Sequence, residues 1–427
     1  MNEYDSNLIV DNLKKINYMA TTDPQEAHCY ILNTCHIREK ATDKVYHDIG
    51  RVKKIFRNKK KPIVIIAGCV AQAEGEILMK REKYIDGVVG PQSYQYLNNI
   101  LLQIEEKNKK VIFTEFEAEN KFDNLENIKN KTSKISSYLT IQEGCDKFCK
   151  FCVVPYTRGP EYSRKFDQII SEARQNVDKG TKEIILLGQN VNAYDYQGKK
   201  LSDLIYSLEN IKGLERIRYT TSHPRDMSDD LIKIHGVSKK LMPLLHLPVQ
   251  SGSDKILDEM NRKHTIDEYI NVVEKLKNEK PDIEFSSDFI IAYPGETEDD
   301  FTKSLELIKK IQFINTFSYV FSPRPGTPSA KLNLVDNETS KRRLIKFQKI
   351  SDEIKKRYKT QLIGKKVKVL FENKTINNQF FGRDEYQNSI IVNSNKDITG
   401  KILNVKIRDC NLHTIFGDLF DHKDVAA

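Results

Sequence analysis

No apolar run in this 427-residue chain reaches the ~18–20 residues that a bilayer-crossing helix needs. The opening Met1-Asn2-Glu3-Tyr4-Asp5-Ser6 also lacks the basic-then-apolar order of a secretory leader. Both observations argue against a membrane or secreted protein, so a cytoplasmic location is expected. Cysteine is scarce as well: there are seven, and three of them crowd into residues 145–152. A disulfide scaffold uses an even, scattered set, so this pattern points instead to metal ligation in a reducing compartment. The signatures G-x-x-x-x-G-K-[ST], H-E-x-x-H and G-x-S-x-G are missing too, which leaves P-loop, zincin and α/β-hydrolase chemistry without a carrier.

What is present is the composition of a folded protein. Hydrophobic residues make up 39% and charged residues 30%, enough apolar material for packed cores. At roughly 100–200 residues per domain the length allows two to four, and three are expected. The formal charge is +9, and its distribution says more. Residues 51–61 hold Arg51, Lys53, Lys54, Arg57, Lys59, Lys60 and Lys61 without one acid, while 341–360 hold nine basic residues against Asp352 and Glu353. Such density suits a phosphate backbone, which releases condensed counterions when neutralised; a solvated helix face is the plainer alternative.

Hydrophobic periodicity predicts an amphipathic helix at 4–16, a strand at His28–Leu32, a basic helix to about Arg57 and a strand at Ile63–Ala67. This is the order of a parallel sheet with crossover helices. The two strands run straight into Cys35 and Cys69. Open parallel sheets bind ligands at the carboxyl ends of their strands, so these thiols are expected to share one mouth. Residues 117–136, rich in Asn, Lys and Glu, read as a linker.

Beyond the linker six strand-then-helix repeats are predicted, with strands at Tyr138–Gln142, Glu183–Leu187, Arg216–Thr220, Leu244–Leu247, Glu284–Ile291 and Thr316–Phe321. Polar or glycine-bearing motifs follow them at one end, as at the rim of a (β/α) barrel. Short strands near 366–371, 380–384, 390–392, 402–407 and 414–416 suggest a small barrel of the OB type. The fold class expected is therefore α/β: an N-terminal parallel-sheet domain at 1–116, a central partial (β/α)6 barrel at 132–360 and a C-terminal small OB-like β-barrel at 361–424.

The sharpest chemical signal is Cys145-Asp146-Lys147-Phe148-Cys149-Lys150-Phe151-Cys152, a C-x3-C-x2-C run directly after a strand. Three thiolates on one loop can hold three irons of a 4Fe-4S cube and leave the fourth open to a chelating ligand. Structural zinc wants a fourth protein ligand, and no Cys or His lies within ten residues on either side.

This triplet at the head of a six-unit barrel resembles the radical S-adenosylmethionine (SAM) superfamily. The resemblance implies that a reduced cluster breaks the sulfonium bond of SAM and releases a 5′-deoxyadenosyl radical, while the protein supplies binding, orientation and exclusion of water. At finer grain, MNEYDS (1–6), LNTCHIREKA (32–41), AGC (67–69), VVPYTRGPEYSR (153–164), LLGQNVNAY (186–194), TTSHP (220–224), LHLPVQSGSD (245–254), SSDFIIAYPGET (286–297) and FSPRPGTP (321–328) are similar to the methylthiotransferases. Within these the likeness is to the MiaB branch, and it covers nearly the whole chain.

That resemblance implies methylthiolation of C2 of N6-isopentenyladenosine beside the tRNA anticodon. It implies a SAM-binding 4Fe-4S cluster on Cys145, Cys149 and Cys152, and an auxiliary 4Fe-4S cluster with Cys35 and Cys69 among its ligands. The family's third auxiliary cysteine precedes the MNEYDS segment, so a truncated or misassigned start is expected; Cys29 as a substitute ligand is the alternative, against a reading as a small buried hydrophobe. By family position and place on the rim, Gly188, Gln189, Asn190, Ser222, Gln250 and Arg262 are expected to contact SAM, with Arg262 suited to its carboxylate. Asp288 either orients substrate or caps a helix. His223, His246 and His264 are expected to be structural, because radical hydrogen abstraction needs no general base.

The C-terminal barrel resembles a TRAM domain, which in this family grips RNA. Its Phe371, Phe380, Phe381, Tyr386 and Phe416 either stack bases or form the barrel core, most of them core. The basic run at 341–360 is the better candidate for phosphate contacts. Expected partners are the tRNA anticodon stem-loop and a flavodoxin-type electron donor, with the chain acting as a monomer. The competing readings are a sister methylthiotransferase acting on threonylcarbamoyl-adenosine or a ribosomal-protein aspartate, and a noncatalytic iron-sulfur RNA-binding redox sensor. The IREKA and GQNVN segments disfavour the first, and the full set of rim motifs disfavours the second.

Overall fold

The structure, a computed structural model, describes residues 2–35, 40–107, 109–115, 134–375 and 378–420. His36–Glu39 of the LNTCHIREKA segment, most of the 117–136 connection and residues 421–424 lie outside the described residues. The chain forms two compact units, one drawn from Met1–Lys131, Thr140–Arg164 and Ser322–Leu332, the other from Thr132–Leu139, Lys165–Phe321 and Asn333–Ala427.

The first unit opens with α1 (Asn2–Lys14), β1 (Cys29–Thr34), α2 (Lys40–Ile55), β2 (Ile63–Gly68), α3 (Cys69–Arg81), β3 (Gly87–Val89), α4 (Leu97–Lys107) and β4 (Val111–Phe113). The four strands stand in chain order and pair in parallel. β2 is apolar almost throughout because both its faces are covered. Ile65 and Ala67 join Leu8 of α1 and Leu101 of α4; Val64 and Ile66 join Ile49 of α2 and Leu78 of α3. The acid-free run at 51–61 finds acids elsewhere in space: Arg51 pairs with Asp48, Lys53 with Glu82 and Lys61 with Asp86. As a phosphate surface it is weaker than its sequence suggests.

After β5 (Ser136–Thr140) come β6 (Gln142–Glu143), α5 (Val154–Arg158) and β7 (Tyr162–Ser163). β6 and β7 form an antiparallel pair that brackets the triplet loop and belongs to the first unit.

The second unit continues through α6 (Phe166–Asp178), β8 (Glu183–Leu187), the ribbon β9 (Asp195–Tyr196) and β10 (Lys199–Lys200), α7 (Leu201–Glu209), β11 (Arg216–Thr220), α8 (Asp229–Val237) and β12 (Leu244–His246). It goes on with α9 (Asp254–Glu259), α10 (Ile266–Glu279), β13 (Glu284–Ile291), α11 (Glu298–Ile311), β14 (Asn315–Val320) and α12 (Asn337–Thr360). The strands form two three-stranded sheets, β11-β8-β5 and β12-β13-β14. A parallel bridge between Ile217 and Leu241 joins them, so the six predicted strands stand in chain order as one open array. Capping boxes start α10 at Thr265 and Glu268 and α11 at Thr297 and Asp300.

β15 (Lys366–Lys374), β16 (Gln379–Arg383), β17 (Ser389–Asn393), β18 (Ile402–Cys410) and β19 (Thr414–Leu419) close into a barrel in the order β15-β16-β17-β19-β18. Of the five aromatic residues considered for stacking, Phe371 and Phe380 are buried in its core. The Tyr386 hydroxyl is engaged by the Asp282 carbonyl at 2.9 Å. Cys410, half-buried, packs against the same core.

Two arginines of β11 fasten this barrel to the array. Arg216 donates to the carbonyls of Arg383 and Lys368, while Arg218 donates to those of Asp384 and Glu385 and pairs with Glu183 at 2.9 Å.

The basic face of α12 also needs correction. Arg343 is buried against Glu296 at 3.0 Å, and the buried Lys359 donates to the Leu412 carbonyl at 3.0 Å, so neither faces a phosphate. The exposed set is Lys341, Arg342, Lys346, Lys349, Lys356 and Arg357.

Burial, reinforced by the Lys355 charge, pulls the Lys359 pKa from 10.5 down to about 8. A lysine depressed in the folded state stabilises fully only above its unfolded value, and that contribution is lost as pH falls through about 8. Lys359→Met is therefore expected to melt higher than wild type at pH 7, with the difference shrinking as pH rises from 8 towards 10.5; calorimetry across that window checks it.

Candidate iron-sulfur and SAM site

Cys35 and Cys69 meet at the carboxyl edge of the N-terminal sheet. The register pairs Thr34 with Gly68, so each cysteine stands one step past the last paired residue. Gly68 has φ +92°, and a Cβ there would lie 2.3 Å from the Thr34 carbonyl oxygen, which leaves no room for a side chain. Thr34 Oγ1 donates to the Ala67 carbonyl at 2.6 Å and accepts from the Val70 N–H at 3.2 Å, tying strand end to helix start.

Cys29 lies at the opposite end of β1, about 20 Å away at ~3.3 Å per residue. It packs into the core, and burial pushes its thiol up to about 12. That placement overturns Cys29 as a substitute ligand.

The triplet loop is held at its base by backbone. Gly144 has φ +76°, and a Cβ there would lie 1.7 Å from the Pro160 carbonyl oxygen. The Cys145 N–H donates to the Gly159 carbonyl at 3.2 Å, and the Cys152 N–H to the Cys149 carbonyl at 2.9 Å. Asp146 and Glu161 exchange bonds, each backbone N–H donating to the other's carboxylate at 3.3 and 3.2 Å.

The Cys145 thiol is pushed up to about 12, chiefly by burial, with a backbone bond from Lys147 opposing and the charges of Cys152, Glu161 and Cys149 adding to the rise. Among the described residues no group of three or more His, Cys, Asp or Glu is gathered ready to hold a metal ion. Cys149 and Cys152 nevertheless stand close enough to Cys145 to act on its charge, and a bound cation would favour all three as thiolates. Soft thiolates at this spacing on one loop are the donor chemistry an iron-sulfur cluster takes, so the residues present fit the group.

Sequence reasoning missed the residue that anchors this loop. Arg158 ends α5, 2% exposed, with Nη2 2.5 Å from Asp5 Oδ2 on α1 and Nη1 3.7 Å from Glu143 Oε1 on β6. Gln92 also donates to the Arg158 carbonyl. Burial pulls the guanidinium pKa down, but Asp5, Cys69 and Glu143 more than offset it, leaving it well above the usual value. One cation thus stands near Cys69 as well as at the foot of the triplet loop. Both partners lay in quoted segments, MNEYDS and VVPYTRGPEYSR, yet an isolated Asp and Arg 153 positions apart give no pairing signal.

Five of the six SAM candidates follow strands of the second unit, and Arg262 lies in the turn between α9 and α10. Gly188, Gln189 and Asn190 follow β8; Asn190 Nδ2 donates to Asp226 Oδ2 at 2.7 Å. Ser222 follows β11, buried, and its Oγ has no hydrogen-bond partner among the described residues. Gln250 follows β12 at φ +80° and exchanges backbone bonds with β13, from its N–H to the Asp288 carbonyl and from the Ile290 N–H to its own carbonyl. Arg262 is buried and donates to the Pro248 carbonyl at 2.5 Å, so part of its fork holds the loop after β12.

Asn192, not singled out from sequence, exchanges bonds with the His223 backbone at 2.8 and 2.9 Å and so links two rim loops. His223 Nδ1 accepts from the Arg225 N–H at 3.3 Å, and His264 lies against the Arg262 carbonyl at 3.2 Å, with burial pulling its pKa down to about 4. Both are held by backbone groups. Asp288 sits within β13, 3.4 Å from His246 Nε2, and so caps no helix. No helix among the described residues is long and apolar enough to cross a membrane.

Comparison with known proteins gives three family matches. Residues 139–308 match the Radical SAM superfamily, residues 1–90 the Uncharacterized protein family UPF0004, and residues 360–420 the TRAM domain. The chain is 59% identical over 426 residues to the tRNA-2-methylthio-N(6)-dimethylallyladenosine synthase of Pelagibacter ubique, covering 98% of this chain and 95% of that protein. It is 46% identical over 432 residues to the synthase of the same name from Rickettsia typhi, covering 98% and 97%. Among solved structures it is similar to TsrM, a radical S-adenosylmethionine methyltransferase from Kitasatospora setae, with TM-score 0.59 and 12% identity over 77% of this chain and 71% of that one. At that identity the likeness speaks for the fold.

The close approach at Gly144 is testable. Gly144→Ala forces the loop base away from Pro160, so anaerobically reconstituted Gly144→Ala is expected to bind clearly less iron per chain than wild type, as read by metal analysis and visible absorbance.

Proposed function

The chain belongs to the tRNA-2-methylthio-N(6)-dimethylallyladenosine synthase family, and we propose that it attaches a methylthio group to C2 of N6-isopentenyladenosine beside the anticodon of tRNA. The observation that carries this reading is likeness over 98% of the chain to a relative bearing the synthase name. It is supported by three thiols on one loop and by a closed five-stranded barrel at the C-terminal end.

In this reading Cys145, Cys149 and Cys152 hold a 4Fe-4S cluster, and Cys35 and Cys69 are two ligands of an auxiliary one. A cluster held by Cys145, Cys149 and Cys152 would supply the one-electron reduction that cleavage of bound SAM requires. The chain's own part is positional. Gly144 and the Asp146–Glu161 exchange fix the loop that carries the thiols. Gly188, Gln189, Asn190, Ser222, Gln250 and Arg262 bind SAM from the rim; the buried Ser222 Oγ has hydrogen-bonding capacity to offer a ligand.

The functional domains are 1–116, 132–360 and 361–424. The anticodon stem-loop contacts the TRAM barrel and the exposed cations of α12, whose phosphate contacts make affinity fall with salt. A flavodoxin-type protein supplies electrons, and the enzyme works as a cytoplasmic monomer.

The reading is tested by incubating reconstituted protein with SAM, sulfide, dithionite and tRNA from cells deleted for the gene. Nucleoside mass spectrometry is expected to show one methylthio group in place of a hydrogen on N6-isopentenyladenosine. Methylthiolation of threonylcarbamoyl-adenosine instead, or 5′-deoxyadenosine formation with no tRNA product, would contradict it.

A further inference from the structure

Lys359 works against the stability of the fold at neutral pH, and its position also makes it a nucleophile. It lies in the last turn of α12, 3% exposed, and its Nζ donates to the Leu412 carbonyl in the turn between β18 and β19 at 3.0 Å. It forms an ion pair with no carboxylate among the described residues. An amine that is neither hydrated nor paired with an acid gives up its proton readily. Burial and the charge of Lys355 bring this one from 10.5 to about 8, against an opposite pull from Cys410 and Asp384. At pH 7 about one such amine in ten is neutral, against roughly one in three thousand for a lysine at 10.5.

Burial by itself would hide the amine from any reagent. Lys359 and its acceptor Leu412, however, both stand on the wall of a cavity of about 780 Å³ between α12 and the β18–β19 turn. Ile345 and Cys410 give that wall an apolar part. Two exposed lysines, Lys349 and Lys356, line it together with two exposed acids, Asp352 and Glu353. Their charges balance, so the cavity admits a small molecule by size and not by sign.

We propose that Lys359 is a site of covalent modification, a cavity-lining amine that takes an acyl group from a small activated donor of the acyl phosphate class. The neutral Nζ attacks the carbonyl carbon of the donor. The N–C amide bond forms, the C–O bond to phosphate breaks, phosphate leaves with the electron pair, and the proton of the attacking nitrogen passes to water. The amide keeps one N–H, so the Leu412 carbonyl retains a donor while the buried positive charge is removed. Acylation therefore stabilises the fold at pH 7, where that charge opposes folding.

The test uses the reconstituted full chain, incubated with acetyl phosphate at pH values from 7 to 10.5, with acetyl occupancy at each lysine read by peptide mass spectrometry. At pH 7 Lys359 is expected to be acetylated at least ~tenfold faster than the exposed Lys341 and Lys346 of the same helix, because its larger neutral fraction outweighs its lower basicity. Its rate rises through about pH 8 and then levels, while theirs still climbs towards 10.5. The neutral donor p-nitrophenyl acetate gives the same ranking. Acetylated wild type melts higher than untreated protein at pH 7, and Lys359→Met gains nothing from the same treatment. Labelling of Lys359 no faster than Lys341 and Lys346 at pH 7 overturns the proposal, as does a rate still climbing at 10.5 or an equal gain in melting temperature for Lys359→Met.

Discussion

The cysteine chemistry of this chain depends on one buried cation. Arg158 sits at 2% exposure between Asp5 and Glu143. A guanidinium so placed is tolerable only while its carboxylates are present, because removing one partner of a buried pair costs about 3–5 kcal/mol. The consequence is geometric. Asp5 belongs to the first helix, Glu143 to the strand that enters the triplet loop and Arg158 to the helix that leaves it, so three segments distant in sequence are held at one point. The Cys69 thiol adds to the field at the same cation. The loop that carries Cys145, Cys149 and Cys152 is thereby fixed against the sheet whose edge carries Cys35 and Cys69.

The second unit spends its polar residues differently. At the lower ends of the strands, Arg216 and Arg218 reach carbonyls of the closed barrel and Glu183, so the barrel is locked to the array by hydrogen bonds in fixed directions. At the upper ends, Asn192 bridges the loops after β8 and β11, and Gln250 continues the pairing of β13 beyond β12. These rim segments are braced in neighbouring pairs rather than independent.

Much of this was legible in the sequence because it is periodic or local. The apolar pattern bounds the strand Glu284–Ile291, and turn residues between short runs locate the five small-barrel strands, although β15, β18 and β19 each run three residues further than expected. The shared mouth of Cys35 and Cys69 followed from each thiol ending a parallel strand, and the register of Thr34 with Gly68 places them so. What escaped was non-local. The charge run at 51–61 looks unbalanced in one dimension, yet Glu82 and Asp86 approach it only when β3 is laid beside β2. Arg343 and Lys359 read as part of a solvent-facing basic helix because a 24-residue helix buries a stripe that charge counting does not reveal. The Asp5–Arg158 pair spans 153 positions and has no pattern at all. The direction of β1 sets Cys29 at the far end of the strand from Cys35, which a sequence alone leaves open.

The buried Arg158 pair holds the loop that carries Cys145, Cys149 and Cys152 in place. A double-mutant cycle over Arg158→Met and Asp5→Leu, with iron per chain after anaerobic reconstitution as the readout, addresses it directly. Arg158→Met alone is expected to lose most of the iron, because Asp5 is left as an uncompensated buried charge and the loop base is released. The double variant is expected to recover part of it. Full iron content in Arg158→Met, or losses in the two single variants that simply add, contradicts the account.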